Sequence, residues 1–345
     1  MECLFTRNPM LRSLAYKTVG DYRTSLFNNA SLFNIATGFI SSDSLVELKR
    51  LLEFRSGSLN INLFIGMNYI EGFTELQYYT LASLNEFLCT NKFGNIYLST
   101  NALFHGKMYS FSDASGNCMG SFIGSSNLGS FMGTSQNNIE SDVFLRGDEG
   151  NIIDSNISAI IKDLGTTFSK TQRPNNFLPP ETDLLKGLDL VKKVSDEDYS
   201  HMKRQLTGEK VEIPLKTEEK SNLNTYFGAG KVPGKYSPRS WYEVEVILSK
   251  KTPNLDLLPN KEDGPFYVVT PDQYTFLCER QGDYGKNLRS SKDLKVLGKW
   301  IKGEMENKGV IKCGEKVTQE TLNAFGKDKL VFQKSAEGEW LINLE

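Results

Sequence analysis

Over the first half of the chain, short runs of β-branched and aromatic residues alternate with longer segments whose apolar residues recur at helical spacing. Phe33 to Ile40 and Ile61 to Ile65 read as strands. After the first, Ser42 can cap a helix carrying Leu45, Leu48, Leu51 and Leu52 on one side, because residues three and four apart share a helix face. After the second, a helix from about Thr74 to Cys89 carries Leu76, Tyr79, Leu81 and Leu84. Asn95 to Ser99 reads as a third strand. Phe104 to Phe111 sets His105, Lys107 and Tyr109 against Phe104, Gly106 and Met108, the period of two that a strand imposes. Gly120 to Gly124 reads as its antiparallel neighbour across a loop from Asp113 to Asn117. Asp142 to Leu145 is a further strand, and a closing helix falls near Asn156 to Phe168. This order predicts a sheet flanked by helices, an α/β domain.

The pattern then breaks. Ser169 to Asp183 contains Arg173-Pro174-Asn175-Asn176 and Pro179-Pro180-Glu181, poor material for helix or strand. We place a first domain at residues 1–170, a linker at 171–183 and a second domain at 184–345. The second opens with a charged stretch that predicts a helix over about Leu184 to Gly208. Short strand-like segments separated by Gly, Pro and Asn follow. Trp241 to Val246 alternates cleanly; Pro265–Thr270 and Tyr274–Cys278 form a hairpin around Pro271-Asp272-Gln273. Lys329–Gln333 and Glu339–Leu344 form another around Ala336-Glu337-Gly338, with a short helix at Leu294–Met305 between the hairpins. A mainly-β, barrel-like domain is expected.

Composition narrows the partners. A chain of 345 residues is long enough for two cores. No apolar run reaches membrane-spanning length, and Met1 to Phe5 lacks a signal-type pattern. A cytoplasmic protein with no membrane partner is therefore expected. The five cysteines, Cys3, Cys89, Cys118, Cys278 and Cys313, are odd in number and scattered. Without a CxxC or Cys/His cluster they indicate neither zinc nor a disulfide framework, but reduced thiols. Net charge is −2, all of it in residues 1–175. Bulk charge thus gives no support for nucleic-acid binding, which would have to use local patches.

The candidate chemistry lies at His105-Gly106-Lys107 and Gly124-Ser125-Ser126-Asn127. The chain has two histidines, and one sits in this frame. Alternation puts His105 and Lys107 on one strand face, about 7 Å apart. The antiparallel pairing brings Ser125 and Asn127 beside them. An imidazole can attack phosphorus while an ammonium, a hydroxyl and an amide hold the phosphate oxygens.

This run, with Glu140 after it, resembles the HxK…GSxN…E signature of the phospholipase D superfamily. Ile65 to Gly72 resembles more specifically the nuclease branch found in NgoFVII- and BfiI-type restriction endonucleases. One departure is that the acid expected five residues after the lysine is displaced: Ser112 stands there and Asp113 follows. The resemblance implies that His105 forms a phosphohistidine, that Lys107, Asn127 and Ser125 bind the phosphate, and that Glu140 bonds the histidine, with Asp142 as its alternative. It also implies a second histidine. His201 lies in the charged segment Asp196–Lys203 without an HxK frame, so the expected source is His105 of a second copy, in a homodimer joined through the first domain. No metal and no cofactor are expected.

The second half is similar to the B3-like pseudobarrel of the same family, through Phe276–Gln281, Leu297–Ile301, Leu322–Asp328 and the closing strands. Such readers hold the major groove between two arms, here Phe227–Arg239 and Arg280–Lys292. The first carries Lys231, Lys235 and Arg239 and no acid. The second carries Arg280, Lys286, Arg289 and Lys292, and the basic stretch runs on through Lys295 and Lys299 to Lys302 against Asp283 and Asp293. Arg can read guanine bidentately. The expected function is a type II-like restriction endonuclease acting on double-stranded DNA, with a cognate methyltransferase in the same system. Some related systems add a separate ATP-hydrolysing subunit, and no GxxxxGK[ST] occurs here. Two other readings stay open: a phosphodiesterase acting on lipids or non-specifically on nucleic acid, and a non-catalytic dimeric DNA-binding protein.

Overall fold

The structure, a computed structural model, describes residues 1–6, 17–134, 138–230 and 232–345. The chain divides into two compact units, Met1–Pro180 with Gly234–Tyr236, and Glu181–Pro233 with Ser237–Glu345. The division falls inside the segment read as a linker. Its first residues pack on the first unit, where Leu178 N donates to the Phe73 carbonyl.

The first unit is built on a nine-stranded sheet. Its strands are β1 (Glu2–Phe5), β2 (Lys17–Thr18), β3 (Leu32–Thr37), β4 (Asn60–Ile65), β5 (Gly94–Ser99), β6 (Met108–Ser112), β7 (Cys118–Gly124), β8 (Ser141–Leu145) and β9 (Gly165–Thr167). They lie in the order β2-β1-β8-β7-β6-β3-β4-β5-β9, with β3, β4 and β5 parallel and β6, β7 and β8 antiparallel beside them. The helices are α1 (Val19–Asn29), α2 (Ser42–Arg55), α3 (Asn68–Glu71), α4 (Glu75–Asn91), α5 (Leu128–Met132) and α6 (Gly147–Leu164). Apolar residues of α1, α2, α4 and α5 share one core with the sheet, and Ile153 and Ile157 of α6 share another with Ala36, Phe64 and Met108. The sheet is therefore covered on both faces.

Leu45, Leu48, Leu51 and Leu52 are fully buried as their spacing requires. The cap of α2 is Ser41, one residue before the one expected, where the Ser44 hydroxyl accepts from Ser41 N and satisfies one of the orphan donors of the first turn. On α4 the inward face is Tyr78, Leu81, Leu84 and Leu88, whereas Tyr79 is exposed and lies at the rim, against Tyr78 and Phe177. The closing helix starts at Gly147, well before Asn156, with Asp148 and Glu149 in its first turn, where carboxylates favour helix entry. It ends at Leu164 because Gly165–Thr167 pairs with β5.

The second unit is a curled, mainly-β domain. Its strands are β10 (Lys192–Lys193), β11 (Leu206–Pro214), β12 (Val246–Ile247), β13 (Phe266–Val269), β14 (Tyr274–Gln281), β15 (Asn287–Ser290), β16 (Lys329–Ser335) and β17 (Trp340–Leu344). The main path runs β11-β16-β17-β13-β14-β15-β12, with β10 beside β14. Its two end strands line one cleft of about 540 Å³, together with Lys216 and Lys251. The helices are α7 (Asp196–Arg204), α8 (Val296–Asn307) and α9 (Gln319–Phe325). Both hairpins form as expected.

Two expectations fail. The helix over 184–208 is reduced to α7, since Gly187 and Leu190 take positive φ and break the run, while Leu184 and Leu185 are buried. Trp241–Val246 is not a strand. Trp241, Tyr242, Glu243 and Val244 are all buried, so successive side chains do not divide between core and solvent, and pairing is limited to one bridge from Glu245 to Asn222 and to Val246–Ile247 with β15.

Candidate active site and DNA surface

The sheet of the first unit has one edge where β3, β4 and β7 end and β6 and β8 begin. The segments leaving or entering these strands meet there. His105 and Lys107 lie in the extended stretch just before β6, not within the strand as the alternation predicts. They are pinned at each end: Phe104 N donates to the Gly66 carbonyl, and Gly124 N to the Lys107 carbonyl. Any side chain at Gly66 would collide with Phe104, which explains a glycine directly after β4.

His105 is exposed and Lys107 buried. Lys107 Nζ lies 2.9 Å from Nδ1 and 3.0 Å from Nε2 of His105, and donates to the His105 carbonyl at 2.6 Å. Burial lowers the Lys107 pKa, and the charge of Glu140 opposes that shift. Phe39 packs its ring edge-on to His105 at 5.7 Å, and its N–H donates to Asn127 Oδ1 at 3.2 Å. With that oxygen engaged, Nδ2 is the atom Asn127 can offer an anion.

Ser125 and Glu140 form a second pair. Ser125 Oγ donates to Glu140 Oε2 at 2.5 Å and accepts from Ser141 N. The Glu140 carboxylate is thus bonded to Ser125 rather than to the imidazole, the role implied for it by resemblance. Asp142 is structural. It is buried, accepts from Ser126 N and Ser126 Oγ, and burial raises its pKa. Ser126, fully buried, is held from the other side by Tyr109, whose hydroxyl donates to its carbonyl at 2.6 Å. The middle of the Gly-Ser-Ser-Asn turn is clamped while its outer residues, Ser125 and Asn127, face the site. Gly124 is required because a Cβ there would strike Asp142 and the Ser141 carbonyl. Asp113 only closes the β6–β7 turn, accepting from Ser115 N and Asn117 N.

In the second unit the basic candidates divide sharply. Lys286 and Lys292 are exposed. Arg280 is buried and donates to the carbonyls of Gly285 and Leu258 and to Asn260 Oδ1, so it braces the arm rather than presenting a free guanidinium. Arg289 pairs with Glu279 and Glu245, and Arg239 with Glu243 and Glu245. Lys302, part of the basic stretch, is wholly buried, its Nζ donating to the Trp241 carbonyl at 2.5 Å over the indole ring. Lys231 lies outside the described residues. Lys235 is exposed and belongs by its contacts to the first unit.

Two family models match the chain. The NgoFVII restriction endonuclease N-terminal PLD (phospholipase D) domain matches residues 21–170, and the NgoFVII C-terminal B3-like DNA-binding domain matches residues 201–336. The chain belongs to the NgoFVII restriction endonuclease family. It joins a phospholipase D-like domain to a B3-like DNA-binding domain, the composition of a restriction endonuclease. No curated protein matches. Among solved structures, polyphosphate kinase from Porphyromonas gingivalis overlaps at 14% identity and a TM-score of 0.31, over 48% of this chain and 24% of that one. TrmBL2, an archaeal chromatin protein, overlaps at 10% identity and a TM-score of 0.29, over 48% of this chain and 53% of that one. The chain thus spans about a quarter and a half of these two proteins, and at such scores neither likeness bears on its chemistry.

Within this NgoFVII-family chain, sequence patterning missed Phe39, Tyr109 and Ser126 as parts of the site, and took Asp142 only as an alternative to Glu140. Ser126 stands inside the motif and Tyr109 two residues beyond Lys107 on the same alternation, so both carried a local signal. Phe39 and the clamping role of Asp142 carried none. His201 is exposed on α7, with Gln205 and Glu337 as its neighbours. Among the described residues no helix is long and apolar enough to cross a membrane.

Proposed function

We propose that this chain cleaves double-stranded DNA without a metal ion, through a covalent phosphohistidine on His105, at a site completed by a second copy. The observation that carries the reading is an exposed imidazole held against the Lys107 ammonium at the sheet edge, with Asn127 fixed beside it. A ring nitrogen of His105 attacks phosphorus and the bond to one ester oxygen breaks. Lys107, Asn127 and Ser125 hold the non-bridging oxygens as charge develops. The leaving oxygen takes a proton from a second imidazole, which then activates the water that hydrolyses the P–N bond. With two histidines in the chain, and His201 on an exposed helix of the other unit, that imidazole is His105 of the second copy in a two-fold dimer.

The B3-like domain selects the sequence. Arg239, Arg289, Lys286 and Lys292 supply the DNA contacts, Arg280 acts as a brace, and Lys231 and Lys235 contribute from the first arm. Cleavage at a defined sequence demands a cognate methyltransferase to protect host DNA. Any ATP dependence comes from a separate subunit. Digestion of a mapped, unmethylated plasmid in EDTA tests the reading beside the His105→Ala variant. Discrete fragments from the parent and none from the variant are expected. Cutting that needs added Mg²⁺, or that survives in the variant, contradicts it.

A further inference from the structure

The two arginines best placed to read bases do not stand free. Arg289 on β15 faces Glu279 on β14 in register, Nε to Oε1 at 3.1 Å. Glu245, just before β12, lies 3.5 Å from Arg289 and 3.6 Å from Arg239, bridging the two predicted arms. Glu243, buried, lies 3.1 Å from the same Arg239 nitrogen, Nη1, that Glu245 approaches. Among the described residues, each arginine of the strip lies against two glutamates. Carboxylates so placed oppose a phosphate backbone. Base edges are different, since guanine presents acceptors to Arg and cytosine an amino donor to Glu. The exposed Lys286 and Lys292 remain for the backbone.

We propose that the Arg239–Glu245–Arg289–Glu279 strip is the base-reading centre for a G·C pair, and that Glu245 sets specificity by withholding both arginines from phosphate. The proposal rests on the reading of the second domain as a DNA-binding surface. Glu245 is a positioning residue: its carboxylate orients two guanidinium groups, leaving their remaining N–H donors for guanine. Without it each arginine keeps one glutamate, Arg239 on Glu243 and Arg289 on Glu279, but the two are no longer tied together and can swing toward any backbone.

The test uses the full chain carrying His105→Ala, so that it binds without cutting. It is selected against a randomised duplex library and then titrated, at several salt concentrations, with the enriched duplex and a scrambled one. An invariant G·C pair is expected in the enriched sequence. Glu245→Gln should bind the scrambled duplex about 3- to 10-fold more tightly and flatten the preference at that pair. Its salt slope should steepen by about one phosphate contact. Glu279→Gln, which loosens Arg289 while Glu245 still holds it, should do the same more weakly and serves if Glu245→Gln melts early. An unchanged ratio of enriched to scrambled binding in both glutamate variants overturns the proposal. So does intact binding by Arg239→Gln and Arg289→Gln while Lys286→Gln and Lys292→Gln weaken it, although the DNA-binding reading then stands. Failure of the parent to bind any duplex sinks that reading itself.

Discussion

Lys107 is buried where His105, two residues away, is exposed, and this difference shapes the predicted rate profile. Burial lowers the lysine pKa, so its ammonium is lost at a lower pH than that of an ordinary lysine. Cleavage should therefore fall on the alkaline side as pH climbs through that lowered value. Lys107→Arg, charged throughout, should lose this limb while keeping residual activity; an unchanged limb would detach it from Lys107. Lys107→Ala should cost roughly 10²- to 10³-fold in rate, as the loss of a transition-state donor does. A second lysine reports on stability. Burial pushes Lys302 down to about 7. Between that value and the usual lysine range the unfolded chain binds the proton and the folded chain does not, so stability rises with pH. Below it both states are charged and the full cost of burial is felt. Buried Glu306 is shifted upward, so its own contribution has the opposite sign and falls as pH rises from the acid range. Denaturant titration from about pH 7 to about pH 9 should show a slope of at most about 1.4 kcal/mol per pH unit, and Lys302→Met should flatten it.

At the scale of elements, the clamp on Ser126 decides whether the turn after β7 keeps its shape. Tyr109 reaches it from β6 and Asp142 from β8, so three neighbouring strands fix one residue. Tyr109 also stacks on Phe131 of α5 at 3.7 Å, which ties the turn to the helix that Asn127 begins. Tyr109→Phe leaves a buried carbonyl without its donor and should cost about 1–3 kcal/mol of stability. Displacing Ser125 and Asn127 by a fraction of an ångström should lower kcat by up to about 100-fold and leave DNA affinity near that of the parent. A loss in affinity alone would place Tyr109 outside the catalytic machinery.

The same elements mark what patterning along the chain can reach. His105, Lys107, Ser125 and Asn127 were legible because each sits in a short motif between strands with clear alternation. The clamp was not, because Asp142 acts through a turn 16 residues earlier in the chain. Trp241–Val246 misled because alternation there reflects packing around Lys302 and α8 from both sides, not a sheet. Arg280 looked like a contact because sequence does not reveal that three oxygens enclose its guanidinium.

For the whole molecule, the proposal assigns chemistry and sequence choice to different domains. A net charge of −2 fits a protein whose DNA affinity rests on a few local contacts. It should therefore show a shallow salt dependence that the exposed lysines carry. The need for two imidazoles predicts a dimer in solution. Mixing parent with His105→Ala chains should yield heterodimers with sharply reduced cleavage, whereas activity in proportion to parent chains would show that each copy works alone. The whole mechanism turns on the nucleophile. The most direct measurement is a rapid quench of parent protein and cleavable duplex in EDTA under alkaline denaturing conditions, followed by peptide mass analysis. A DNA strand covalently attached through phosphorus to His105 is expected. Cleavage with no adduct, or an adduct on any other residue, would contradict it.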